Sequence, residues 1–76
     1  MATVYSTVRI HAGLYITGDG AFKIRRVRNE LRRRWDWHVF VLDEGQYVHA
    51  MTLRTLVGAR AYVENQYAAL GLQRLL

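Results

Sequence analysis

An α+β fold, a three- or four-stranded antiparallel sheet packed on one C-terminal helix, is predicted by three observations. The first part of the 76-residue chain is made of short β-branched and aromatic runs. Two of these runs flank a Gly18-Asp19-Gly20 segment, a strong hairpin signal. The last third carries apolar residues at helical spacing.

Residues 3–10, TVYSTVRI, favour a strand, and residues 13–17 a second one. Residues 21–28 form the third, with Phe22 and Ile24 alternating against Lys23 and Arg25, so that one face is buried and one is wet. Residues 29–34, NELRRR, read as a loop with a helical tendency, with Glu30 at i,i+4 from Arg34. Its arginines would project from a hairpin tip. Residues 35–42, WDWHVFVL, read as the best strand. Trp35, Trp37, Val39 and Val41 share its core face, because Asp36 and His38 on the other face resist burial. Phe40 and Leu42 then lie on the face away from the core. Residues 43–46 form a turn, and residues 47–50 fit a short further strand. Thr52 is the expected N-cap of a helix over 52–70, whose stripe is Leu53, Leu56, Ala59, Val63, Tyr67 and Leu70, with Gly71 at the C-cap. Gly58 costs this helix about 1 kcal/mol relative to Ala, offset by close approach to the sheet.

The chain is 51% apolar and 22% charged, which fits one globular domain and excludes a disordered one. It has no Cys, hence no disulfide, thiolate nucleophile or zinc ribbon. A core this small must be well packed or completed by a partner, often a second copy, so a homodimer is one expected state. Residues 1–5 lack the character of a signal peptide, and no apolar run approaches the roughly 20 residues that span a bilayer. A cytoplasmic protein that does not bind membranes is expected.

The charge is concentrated. Lys23, Arg25, Arg26, Arg28, Arg32, Arg33 and Arg34 are seven of the eleven basic residues, and Glu30 is the only acid among them. Ten of the eleven are Arg, a bias that GC-rich codons alone would produce, but codon usage does not explain the clustering. A basic patch beside Trp35 and Trp37 is the electrostatic footprint of a polyanion-binding surface.

Three candidate sites follow. The exposed sheet face, Lys23, Arg25, Asp36, His38 and Phe40, would meet phosphates or bases, against the bland reading of a solvated face. Arg26, Arg28, Arg32, Arg33 and Arg34 at the tip would clamp phosphates or meet an acidic host protein, against a loop that only blunts a sheet edge. Val27, Phe40 and Leu42 would form a dimer or partner patch, an expectation that a one-residue slip of register would end. His11, His38 and His49 lack metal-ligand spacing, so no metal or cofactor is expected. With Ser6 as the only serine, no phosphate-binding glycine loop and no paired carboxylates, a non-enzymatic protein is expected.

Gly13-Leu14-Tyr15, the run from Asp19 through Gly20, Phe22 and Ile24 to Arg26, Trp37-His38-Val39, and Thr52-Leu53 with Ala59 resemble the layout of short proteins from phages of actinobacteria. The resemblance spans most of the chain and implies a phage-type accessory protein, without an agreed activity. The expected sheet-plus-helix architecture also looks like the arm-binding domains of tyrosine integrases, which lay a sheet into the major groove. The first expectation is therefore a nucleic-acid-binding accessory or regulatory factor. The alternatives are a module that modulates an acidic host protein and a self-assembling homo-oligomer.

Overall fold

Five strands, not three or four, build the sheet in the computed structural model, which describes the backbone of residues 7–75 and the side chains of residues 9–69. They are β1 (Thr7–His11), β2 (Leu14–Thr17), β3 (Phe22–Asn29), β4 (Arg34–Asp43) and β5 (Gln46–Leu53), followed by α1 (Leu56–Leu75). The sheet is an antiparallel meander in sequence order. The expected β-run at residues 3–6 lies outside the described residues.

Register decides the core. Phe22 pairs with Val41, Ile24 with Val39, Arg26 with Trp37 and Arg28 with Trp35. Strand alternation places all eight on one face, as the sequence pattern requires. The helix covers only part of that face. Phe22, Ile24 and Val39 are buried with Ala59 and Val63 of α1, and Tyr15, Trp37, Val41, Leu53, Leu56 and Tyr67 pack around them. Trp35 stays 48% exposed because it lies beyond this cluster. No helix among the described residues is long and apolar enough to cross a membrane.

The helix starts one turn later than its sequence signal. Thr52 pairs with His38 and Leu53 with Trp37, so both belong to β5. The cap is Thr55, whose Oγ1 accepts the Gly58 N–H at 2.9 Å while its carbonyl accepts the Ala59 N–H at 3.1 Å. Both threonines can cap. The ladder claims the first because Leu53 reaches the core from the strand and not from the helix stripe. A Cβ on Gly58 would meet the Thr55 Oγ1 at 3.1 Å and Leu53 at 3.8 Å, so the close approach involves the cap as well as the sheet. At the other end α1 runs through Gly71 to Leu75, and the expected C-cap there is not used.

Tyr67 fastens α1 to the β2–β3 turn. Its ring meets Phe22 edge-on at 5.2 Å, and its hydroxyl donates to the Asp19 carboxylate. Asp19 also accepts from the Thr17 hydroxyl at 2.9 Å and from the Ala21 N–H at 3.0 Å. Burial, then the Asp19 carboxylate, pushes the Tyr67 hydroxyl up to about 12. Burial would raise Asp19, but the Tyr67, Ala21 and Thr17 donors outweigh it and hold the carboxyl below its usual value. Tyr67 thus keeps its proton longer in the fold than in the unfolded chain. Its contribution is full below pH 10 and is lost as pH rises toward 12. Tyr67→Phe is expected to cost about 1 kcal/mol at neutral pH and to flatten this alkaline loss, read from urea midpoints across pH 9 to 12.

Candidate nucleic-acid interface

Arg28, Arg32, Arg33 and Arg34 sit on a two-stranded arm that outruns the rest of the sheet, and Lys23, Arg25 and Arg26 lie at its root. The β2–β3 register ends at Leu14 opposite Arg25, with a last hydrogen bond from the Arg26 N–H to the Gly13 carbonyl at 2.7 Å. The β4–β5 register ends at Trp37 opposite Leu53. Beyond these points only Val27–Asp36, Arg28–Trp35 and Asn29–Arg34 remain paired. At about 3.3 Å per residue, these three pairs extend about 10 Å. Residues 30–33 close the arm as a turn without helix, which leaves Arg32 and Arg33 exposed at the hairpin tip, while Arg34 belongs to β4 and turns onto Asp36.

The tip is braced from inside. Asp36 lies on the open face, as the alternation predicts, yet it is only 4% exposed. The expectation that it avoids burial is corrected because its neighbours supply its partners. Its carboxylate accepts from the Asn29 amide at 2.9 Å and from the Arg34 Nε at 3.1 Å. The Asn29 side-chain oxygen accepts the Arg32 N–H at 3.1 Å, and Arg33 adopts a left-handed φ of 52°. Asn29, then Arg34, holds the Asp36 carboxyl below its usual value against the pull of burial. The brace is therefore intact above pH 3.8 and is lost as pH falls below it. Asp36→Asn is expected to loosen the turn without unfolding the core, seen as faster amide exchange at Arg32 and unchanged exchange at Ile24.

The cations are only partly neutralised. Arg28 meets Glu30 at 3.7 Å and Arg34 meets Asp36 at 3.1 Å. Among the described residues, Lys23, Arg25, Arg26, Arg32 and Arg33 have no carboxylate within ion-pair distance. Arg26, and Arg28 in addition to its Glu30 contact, lie 4.5 and 5.6 Å from the centre of the Trp35 ring, on the helix-side face of the sheet. At the root of the arm, His11, Gly13, Lys23, Arg25, Arg26 and Trp35 contribute to a shallow recess of about 300 Å³. Gly13 has φ +84° there, and a Cβ would press on the Arg26 Cβ at 3.3 Å, so glycine is what lets the β1–β2 turn meet β3.

The open face carries a second group. The Lys23 ammonium stands 5.0 Å from the Phe40 ring centre and 4.5 Å from that of Tyr47. His38 stacks near Phe40, and the His49 ring meets both. Burial, then the neighbouring His49, lowers the His38 pKa, with Asp36 opposing. Lys23, His38 and Phe40 were legible in the sequence as members of this face. Tyr47 and His49 were not. They join through pairing with Leu42 and Phe40, and a register shift between the Val39 and Phe40 pairs sets which residues of β5 share that face.

Val27, Phe40 and Leu42 lie on the open face but do not form one patch. Val27 pairs with Asp36 and Leu42 with Tyr47, so about 20 Å of strand separates them. His38, Lys23 and His49 surround the Phe40 between them. The exposed apolar side chains the sequence did not single out include Ile10 on β1, Val48 and Met51 on edge strand β5, Val57 at the start of α1 and Leu31 at the arm tip, 94% exposed. Their signal is weak, since an apolar residue reads as core until the end of its strand is known.

Among the described residues no three His, Asp or Glu gather as a metal-ligand cluster. What the arrangement offers chemically is a cluster of guanidinium groups, one ammonium and partly exposed rings, suited to phosphates and stacked bases. Compared with protein-family models, with curated proteins and with solved structures, the chain matches none of them.

Proposed function

We propose that this protein is a small non-enzymatic nucleic-acid-binding factor with an accessory or regulatory role, of the phage type that its sequence layout resembles. The observation that carries the reading is the uncompensated charge on the arm and its root. Among the described residues, five of the seven cations between Lys23 and Arg34 lack a carboxylate partner; Lys23, Arg25 and Arg26 lie within four residues of one strand, β3, and Arg32 and Arg33 are adjacent in the turn that follows it. Lys23 and Arg25 share the open face of β3 and Arg32 and Arg33 are neighbours in the turn, so the concentrated like charge repels itself and is unfavourable for folding alone. A patch needed only for solubility is better made by interspersing both signs. A polyanion removes the repulsion, and the arginine forks match phosphate geometry.

The arm would supply affinity through phosphates, and the open face would add contacts to bases through Phe40 and His38. The test is fluorescence anisotropy with labelled duplex DNA, single-stranded DNA and RNA across a salt series. Binding is expected, with log K falling against log salt at a slope of about −4.5 if the five unpaired cations each meet a phosphate of B-DNA. Absence of binding to any of the three at low salt would sink the reading and reassign the arginines to an acidic protein surface.

A further inference from the structure

We infer that the arm tip is a wedge for double-stranded DNA, in which Leu31 inserts between base pairs of the minor groove while the flanking arginines hold the phosphates and groove walls. This rests on the nucleic-acid reading and specifies the ligand and the way it is held.

Leu31 is 94% exposed at the outermost turn of the arm. An exposed leucine needs no explanation by itself. The surroundings of this one do. It stands between Glu30 and Arg32, with Arg33 and Arg34 next in the chain and Arg28 three residues before it on β3, where it meets Glu30. No apolar neighbour packs on it from the body, because the three outermost pairs of the arm lie beyond β2 and β5. The turn that presents it is held in shape. Asn29 and Arg34 bond the buried Asp36 carboxylate, Asn29 also accepts the Arg32 N–H, and Arg33 takes the left-handed conformation that closes the loop. A braced turn loses little conformational freedom on binding, so its apolar apex is ready to enter a ligand.

The chemistry selects the duplex. An apolar side chain followed in the chain by three arginines has a matching target where apolar base faces lie between two phosphate walls. A two-stranded ribbon with its own atoms is wider than the minor groove of about 6 Å, so only the tip can enter and the groove must widen around it as Leu31 inserts. Side chains such as Leu that enter a base step unstack it and bend the duplex toward the major groove. Arg32 and Arg33, without carboxylate partners among the described residues, are next to the apex in the chain, where they would meet the phosphates that line the opened groove.

The test uses the full chain and a duplex with donor and acceptor dyes at its ends and 2-aminopurine at a central TA step, which unstacks easily. The wild-type protein is expected to raise the 2-aminopurine fluorescence and to shorten the end-to-end distance. Leu31→Ser is expected to lose both signals while keeping salt-dependent binding, with affinity reduced about tenfold or less. Leu31→Met, which keeps an apolar apex, should retain both. Because the side chain makes so little contact with the body, neither variant disturbs the fold. Duplex binding with no change in either signal, signals unaffected by Leu31→Ser, or binding to single strands only would overturn the wedge and leave the nucleic-acid reading standing. Failure to bind any nucleic acid would end both, and binding to anionic vesicles in its place would assign Leu31 to a lipid surface.

Discussion

Alanine at Arg25, Arg32 and Arg33 together is expected to lower nucleic-acid affinity about a hundredfold, at about 1 kcal/mol for each phosphate contact removed. The salt slope should fall in magnitude by about 2.7, since each lost contact releases about 0.9 fewer counterions. These three are the informative choice because none of them has a carboxylate partner among the described residues. Arg34 is a poor choice, although it belongs to the same run. Its Nε braces Asp36, so its removal would disturb the turn as well as the charge. The triple variant should keep the wild-type urea midpoint within about 0.5 kcal/mol, as surface substitutions do. A variant that folds normally and binds with unchanged affinity and slope would show that the arm does not contact phosphates.

Ile24→Ala is expected to destabilise the fold by about 2 to 5 kcal/mol. Ile24 is fully buried on the central strand β3, opposite Val39 and Tyr15 in the flanking strands, in the core cluster that holds Val63. A domain of 76 residues has a total stability of about 4 to 11 kcal/mol, so this one truncation removes a large part of it. The matched control is Leu42→Ala on the open face, where Leu42 is 44% exposed and the expected loss is below about 1 kcal/mol. Urea unfolding followed by Trp37 fluorescence separates the two. Similar losses at both positions would mean that the two faces of the sheet are not distinguished by the helix.

Much of the fold was legible because its signals are local. Alternation through Phe22, Ile24, Trp37, Val39 and Val41 needs only the two-residue period of a strand, and it named the core face. Ala59, Val63 and Tyr67 needed only the helical period. The Asp-Gly hairpin and the arginine tip needed only turn chemistry and composition. The misreadings all required knowing what another segment does. Thr52 looked like a cap until pairing with His38 made it a strand residue, and Thr55 then capped the helix. Asp36 looked exposed until Asn29, seven residues away, turned its amide toward it. Val27 and Leu42 looked like neighbours on a shared face until their distance along the sheet was measured.

Composition and period, then, determined on their own that this is a sheet with one helix on one face and a concentrated positive charge at a hairpin. They act through nearest neighbours, so no long-range contact is needed to read them. Only the tertiary structure decided that β3 and β4 outrun β2 and β5, which turns a basic hairpin into a projecting arm, and that Asp36 braces its tip beneath an exposed Leu31. It also decided which rings of β5 surround Phe40. Where a strand loses its partners and which side chains meet across a ladder depend on pairing between segments, and the energy of that pairing is spread over the whole sheet and written in no single run of residues.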